Sequence, residues 1–132
     1  TIENYEKRIV EAKKNIELSG KGQIIELLEG DATEVMKTLP SQQFDFVFMD
    51  AAKAQYIYFL PEVLRLMKKG AVLITDNVLQ EGDLIESRFV VERRDRTIHK
   101  RMREYLEVVK NHEELETSIV PIGDGITISV KK

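Results

Sequence analysis

Two apolar segments that each stop at an acidic residue constrain this chain most. Residues 44–49 are almost continuously apolar and are followed by Asp50, and residues 71–75 are followed by Asp76 and Asn77. Uninterrupted apolar runs of this length are typical of strands buried on both faces of a parallel sheet, whereas half-exposed strands alternate. The two segments therefore predict buried parallel strands whose carboxyl ends carry oxygen-bearing side chains.

The remaining periodicity predicts an α/β fold. Helices are predicted where apolar residues recur at helical spacing: residues 4–19, about 33–39, 54–68 and 92–111. Further strands are predicted at residues 1–3, 23–29, 115–122 and 126–130, with the last two joined as a hairpin through residues 123–125. Residues 78–91 are predicted to be irregular. This order describes a doubly wound, Rossmann-like parallel sheet that ends in an antiparallel hairpin.

Length and composition exclude several classes of protein. The 132 residues fit a single domain, and the absence of cysteine excludes disulfides, thiolate zinc sites and a cysteine nucleophile. A reducing, cytoplasmic location is therefore expected. Because no apolar run approaches the roughly twenty residues of a membrane span, no membrane association is expected. The net charge of -3 argues against a protein that coats nucleic acid, although a local basic surface remains compatible with it.

Polar residues gather at the predicted strand ends. They are Glu3, Asp31, Asp50, Asp76 and Asn77. Because ligands bind beyond the carboxyl ends of strands in such sheets, these residues are expected at one edge of the sheet. The oxygens of Asp50, Asp76 and Asn77 suit Mg²⁺ or another hard divalent cation. The alternative is purely structural, with Asp76 and Asn77 forming a turn and Asp50 capping the next helix.

Lys53 follows Asp50 by three residues. The first turn of the next helix would bring its ammonium group beside a bound metal ion, where an amine can act as a general base. The alternative is a solvated surface lysine. Lys53 is therefore a candidate catalytic residue only in combination with the acidic residues around it.

The motif that contains these residues resembles the metal-dependent catechol and caffeoyl-CoA O-methyltransferases. Its members are Asp50-x-x-Lys53-x-x-Tyr56, followed by Asp76-Asn77, and the resemblance extends from Thr1 to Lys132. It implies the class I methyltransferase sheet and S-adenosylmethionine as cofactor. Family members are commonly dimers, so a homodimer is expected by analogy.

The resemblance also implies residue roles. The cofactor-binding residues would be Glu3, at the ribose hydroxyls, Asp31 and Ala32, beside the adenine, and Asp50, near the methionine end. The metal ligands would be Asp50, Asp76 and Asn77, with Lys53 as catalytic base and Tyr56 supporting them. Two alternatives stay open: Glu3 as an acidic residue that favours a helix start, and Ala32 as simple packing.

A basic segment follows the second metal strand. Residues 86–103 contain seven basic and three acidic side chains. Its candidate RNA-binding residues are Arg93, Arg94, Arg96, Lys100 and Arg101. Such a segment can contact phosphates and stack guanidinium groups on bases. The alternative is a solvated helix face with internal ion pairs.

Residues 92–98 and 118–129 narrow the resemblance to the bacterial tRNA 5-hydroxyuridine methyltransferases of this family. The implied substrate is 5-hydroxyuridine at the wobble position of tRNA, whose ring hydroxyl adjoins a carbonyl oxygen. A small catechol-like phenol offers the same pair of oxygens and is the alternative substrate. A non-catalytic module that binds S-adenosylmethionine or RNA is the alternative from another class.

One family feature is absent from the sequence. The family places a first strand and a Gly-rich loop upstream of the position of Thr1, and no such motif occurs here. The absent strand would lie between the strands that end at Glu3 and Asp50, which would leave two inner edges unpaired. The sequence is therefore expected to be the C-terminal part of a longer protein, with the gap filled by another segment or chain, or rearranged.

Overall fold

The computed structural model describes residues 1–79 and 96–132 and divides the chain into two compact units, Thr1–Pro40 and Ser41–Lys132. The strands are β1 (Ile2–Glu3), β2 (Leu28–Glu29), β3 (Phe44–Met49), β4 (Met67–Thr75), β5 (Leu115–Val120) and β6 (Ile126–Lys131). The helices are α1 (Glu6–Ser19), α2 (Ala32–Thr38), α3 (Tyr56–Leu66) and α4 (Arg96–Asn111), and a 3-10 turn over Lys53–Gln55 precedes α3. The predicted α/β order is confirmed. No helix in the described ranges has the length and apolar character that crossing a membrane requires.

The first unit contains a short parallel pair, β1 and β2, and the helices that follow each strand. Gly20 ends α1 in the left-handed conformation (φ +64°), as its position after the periodic segment predicts. The strand predicted over residues 23–29 is wrong for most of its length, because only Leu28 and Glu29 pair with β1. The amides of Ile24 and Ile25 instead donate to the carbonyl of Lys21 in a turn. Before that pair, the terminal amine of Thr1 donates to the carbonyl of Glu26 (2.7 Å), but no further residue of 23–27 enters the ladder.

The second unit contains a four-stranded mixed sheet in the order β3-β4-β6-β5. β3 runs parallel to β4, and β6 runs antiparallel to both β4 and β5. The parallel pair and the terminal hairpin are thus confirmed. β4 begins at Met67, earlier than predicted, and its register against β3 shifts between Phe44 and Phe46.

The core of this unit lies between one face of the sheet and the helices α3 and α4. Leu73, Thr75 and Ser129 are fully buried on that face. The hydroxyl groups of Thr75 and Tyr105 are 2.6 Å apart, which attaches α4 to β4. Successive side chains in a strand point to opposite faces, so this face takes every second residue of β4 and β6.

The other face of β3 corrects an expectation from the sequence. Phe46 and Phe48 are 54% and 56% exposed, so β3 is not buried on both faces. Both residues alternate with Val47 and Met49, and β3 lies at the edge of its sheet. A continuous apolar pattern is compatible with burial of a strand on both faces. Burial of the second face also requires another element that packs against it.

Lys131 is expected to stabilise the second unit through the end of α3. Its ammonium group donates to the carbonyls of Leu64 (2.7 Å) and Met67 (3.2 Å), and its side chain is 11% exposed. The last carbonyls of a helix have no partner within the helix. Lys131→Met keeps the aliphatic stem but removes the donor, so the free energy of unfolding should fall by about 1.5–3 kcal/mol.

Urea unfolding of the full-length protein measures this loss. Lys132→Met is the matched control, because that side chain is 53% exposed and lies 4.0 Å from Glu116. Equal unfolding midpoints for the two variants would contradict the capping role.

Candidate active site

The carboxyl ends of β3 and β4 lie side by side. Met49, the last residue of β3, pairs with Thr75, the last residue of β4. The amide of Asp76 then donates to the carbonyl of Met49 (3.1 Å), which extends the ladder by one bond. Asp50 and the Asp76-Asn77 pair therefore follow adjacent strand ends, as the strand-end pattern predicts.

Asn77 has an unusual backbone and a fixed side chain. Its φ is +54°, a left-handed conformation that residues other than glycine rarely adopt. Its amide donates to a carboxylate oxygen of Asp76 (2.7 Å), and its side-chain Nδ2 donates to Oδ2 of Asp124 (3.1 Å). The chain bends at Asn77, and Oδ1 of Asn77 has no hydrogen bond to any described residue.

The donor set at these strand ends fits a hard cation. Asp50 is exposed, and it does not cap the following turn, whose N-cap is Ala52. Two carboxylates and one amide oxygen match the ligands that Mg²⁺ takes. No group of three His, Cys, Asp or Glu able to hold a metal occurs in the described part of the chain. A metal at this edge would therefore need Asn77 as well as Asp50 and Asp76.

Lys53 lies in the turn between Asp50 and α3. It begins the 3-10 turn Lys53–Gln55, closed by a hydrogen bond from the amide of Gln55 to the carbonyl of Ala52 (2.7 Å). The side chain is half-buried and forms no ion pair within the described ranges. Lys53 is thus neither fully solvated nor neutralised by a described carboxylate, and its catalytic role stays a prediction.

Tyr56 connects the residues that follow β3 and β4. Its hydroxyl donates to the carbonyl of Asp76 (3.2 Å) and accepts from the amide of Ala51 (3.3 Å). Burial raises the pKa of Tyr56 to about 12, the amide of Ala51 opposes this rise, and the charges of Asp50 and Asp76 add to it. The hydroxyl therefore stays protonated at neutral pH. The ring contacts Tyr105 edge to face, with centroids 5.6 Å apart, which fixes it against α4.

Asp124 contacts the candidate metal ligand Asn77, a contact that the sequence does not predict. It lies in the turn between β5 and β6, 47 residues from Asn77, where the sequence pattern indicates only a hairpin turn. The available signal was an acidic residue between two glycines, Gly123 and Gly125, close to the end of an element that pairs with β4.

Glu3 lies at the end of β1 in the first unit. One of its carboxylate oxygens accepts from the amides of Asn4 and Tyr5 (2.9 Å each), and the other is 4.0 Å from Arg8. Both amides precede α1, which begins at Glu6, so the helix-start alternative for Glu3 also stays open. The ribose-binding role of Glu3 stays a prediction.

Asp31 and Ala32 follow β2 in the same unit. The Asp31 carboxylate accepts from the amide of Thr33 (2.8 Å) and caps α2, which begins at Ala32, one residue earlier than predicted. The predicted cofactor residues Glu3, Asp31 and Ala32 thus belong to the first unit. The metal residues and Lys53 belong to the second.

The basic residues are described only in part. Arg93 and Arg94 lie outside the described residues, as does most of the irregular segment, and the helix predicted from residue 92 is described from Arg96. Lys100 is exposed and Arg101 is half-buried on α4.

Arg101 links α4 to the turn that carries Lys53. Its guanidinium donates to the carbonyl of Ala54 (3.3 Å) and lies over the ring of Tyr58, 5.3 Å from the centroid. This is the range of a cation–π contact. The basic helix and the candidate catalytic turn are therefore in direct contact.

The sequence matches one protein-family model, that of O-methyltransferase, over residues 1–132. Among curated proteins, it is similar to tapetum-specific methyltransferase 1 of Arabidopsis thaliana, with 32% identity over 107 residues. That match covers 79% of this chain and 46% of the relative. The chain therefore spans about half the length of this relative.

Two solved structures share the fold. A candidate caffeoyl-CoA O-methyltransferase from Staphylococcus aureus matches all of this chain and 63% of its own, with 32% identity and a TM-score of 0.91. An O-methyltransferase from Bacillus cereus, solved in complex with SAH, matches all of this chain and 61% of its own, with 25% identity and a TM-score of 0.85. The predicted Rossmann-like sheet is the fold of both.

Proposed function

Because the chain belongs to the O-methyltransferase family, we propose that the whole protein transfers a methyl group from S-adenosylmethionine to a hydroxyl oxygen. The observation that carries this proposal is the pairing of β3 with β4, after whose adjacent ends Asp50 and the Asp76-Asn77 pair follow. Lys53 lies in the next turn. The B. cereus structure, which holds SAH, supports S-adenosylmethionine as cofactor. The residues proposed to bind it are Glu3, Asp31, Ala32 and Asp50.

Asp50, Asp76 and Asn77 are proposed to hold Mg²⁺. A divalent ion supplies Lewis-acid stabilisation of a negatively charged acceptor oxygen. Lys53 would accept the proton of the acceptor hydroxyl at Nζ. S-adenosylmethionine, held by the residues named above, would supply the methyl group as a sulfonium, from which the deprotonated oxygen would displace a neutral thioether. Tyr56 would hold both strand ends in place, so that the reacting groups need little reorganisation.

The acceptor proposed is 5-hydroxyuridine at the wobble position of tRNA. The support is the contact between the basic helix and the turn of Lys53, through Arg101 and Ala54. Lys100 and Arg103 are exposed on the same helix and can reach phosphates. Tyr58 and Arg101 form a cation–π pair, and both are side chains of the kind on which an unstacked base can lie.

Two other functions compete with this proposal. A small catechol-like phenol is favoured by the similarity to the S. aureus candidate caffeoyl-CoA O-methyltransferase. A non-catalytic module would bind S-adenosylmethionine or RNA without turnover.

A homodimer is proposed by analogy with the family, and sedimentation of the full-length protein tests it.

The test is a methyl-transfer assay on the full-length protein with tRNA containing 5-hydroxyuridine and with catechol, each with and without EDTA. We expect transfer to tRNA that EDTA abolishes. Transfer to catechol alone would establish the phenol alternative. Cofactor binding with no transfer to either acceptor would establish the non-catalytic one.

The double variant Arg93→Glu/Arg94→Glu separates phosphate contacts from chemistry. It should lower tRNA methylation by at least about tenfold and reduce the slope of log affinity against log salt by about two. Methylation of free catechol should not change. Lys110→Glu, an exposed charge reversal in the last turn of α4, is the control. Equal loss on both acceptors would contradict phosphate contact.

A further inference from the structure

We propose that Asp124 is a positioning residue that holds the side-chain amide of Asn77 with Oδ1 available to a metal ion. The inference rests on the proposed function, because it assumes that Asp50, Asp76 and Asn77 hold a cation. It assigns a role to the β5–β6 turn, residues 123–125, which the sequence interpretation treated only as a connection.

The hydrogen bond between the two side chains determines the orientation of the amide. Nδ2 of Asn77 is 3.1 Å from Oδ2 of Asp124. An ionised carboxylate only accepts hydrogen bonds, so the amide atom that faces it must be the nitrogen. The amide group is planar, and its oxygen is therefore directed away from Asp124. A metal ion requires the oxygen, since the NH₂ group has no lone pair to give.

Backbone contacts hold the turn against the residues that follow Asn77. The amide of Val78 donates to the carbonyl of Gly125 (2.9 Å), and the amide of Leu79 donates to the carbonyl of Asp124 (2.8 Å). Val78 is fully buried. The hydrogen bond to the side chain of Asn77 therefore starts from a backbone that is already held in place.

Gly125 allows this close approach. Its φ is +77°, and a Cβ at this position would lie 2.6 Å from Cδ1 and 2.8 Å from Cβ of Leu79. Both distances are far below van der Waals contact, so only glycine fits between the turn and Leu79. In the sequence Gly-Asp-Gly, Gly125 thus permits the close approach of the turn, and Asp124 forms the hydrogen bond to Asn77.

Asp124 restricts the rotation of the Asn77 amide. The backbone of Asn77 is left-handed (φ +54°), a conformation that asparagine adopts more readily than most residues with a Cβ. Without Asp124, the Asn77 amide could rotate by half a turn and present its NH₂ group to the ion. Metal affinity should fall although all three ligand residues remain.

The test measures Mn²⁺ binding to the full-length protein by isothermal titration calorimetry, in the absence of cofactor and acceptor. Asp124→Ala should weaken Mn²⁺ binding by about 10- to 100-fold, the usual effect of losing a hydrogen-bond partner of a metal ligand. Asp124→Asn keeps an acceptor for Nδ2 and should lose less. Glu116→Ala, an exposed carboxylate on β5, is the control and should bind as the wild type does.

A double-mutant cycle separates positioning from charge or from a general loss of structure. If Asp124 acts through Asn77, Asp124→Ala should add little in an Asn77→Ala background. Full additivity, or unchanged Mn²⁺ binding in Asp124→Ala, would overturn the inference and leave the proposed function intact. Absence of Mn²⁺ binding by the wild type would overturn the proposed metal site itself, and this inference with it.

Discussion

Lys53→Met is expected to lower kcat for methyl transfer by about 10²- to 10⁴-fold, the usual contribution of a positioned general base. Methionine keeps an unbranched side chain of similar length, so the 3-10 turn Lys53–Gln55 should form as before. The acceptor hydroxyl would then have to lose its proton to water. The measurement is single-turnover methyl transfer over a range of pH, in which the wild-type dependence on the protonation state of the base should disappear in the variant.

Lys69→Met is the control for this prediction. Lys69 is exposed on β4, toward the end of the strand opposite Asp76. The control should keep wild-type kcat, and Lys53→Met should bind SAH as the wild type does. A loss of SAH binding that matches the loss of rate would show that Lys53 supports the cofactor site and not the proton transfer.

Asp50→Asn is expected to reduce methyl transfer, and to reduce Mn²⁺ affinity more strongly than any change outside the ligand set. It removes one of the two carboxylates of the proposed site, and the affinity of oxygen sites for hard cations depends on the number of charged ligands. We expect Mn²⁺ affinity to fall by more than the about 10- to 100-fold caused by losing a hydrogen-bond partner of a metal ligand. Direct Mn²⁺ titration measures the first effect, and the methyl-transfer assay with excess metal measures the second.

Asp45→Asn is the control for Asp50→Asn. Asp45 is an exposed carboxylate on the same strand, paired with Lys68, and about 16 Å from Asp50 along β3. Lys53→Met and Asp50→Asn also check each other, because Lys53→Met should keep Mn²⁺ affinity while Asp50→Asn should lose it. Wild-type Mn²⁺ affinity in Asp50→Asn would contradict the assigned ligand set.

Features that depend on neighbouring residues could be predicted from the sequence. The bounds of β3 are as predicted because Asp50 and the residues before Phe44 interrupt its apolar run. The end of α1 at Gly20 is as predicted because only a flexible residue takes the left-handed cap easily. The proximity of Asp50 to Asp76 followed from a general property of parallel strands, whose carboxyl ends meet at one edge.

Features that depend on distant partners could not be predicted. Only Leu28 and Glu29 pair with β1, and the apolar pattern of residues 23–29 carries no information about which of its residues a partner strand meets. Phe46 and Phe48 are exposed for a similar reason. Whether an apolar face is buried depends on the elements that pack against it, and the composition of the strand does not specify those elements.

The sequence by itself determined the order of helices and strands, the candidate metal ligands and the candidate base, because each depends on periodicity, on a cap or on the position of a strand end. Only the tertiary structure decided how those residues are held. Asp124 meets Asn77 across 47 residues, and Arg101 meets Ala54 across the same separation. Such contacts form only when whole elements dock, since their geometry depends on the packing of α4 and the hairpin and not on local chain preference.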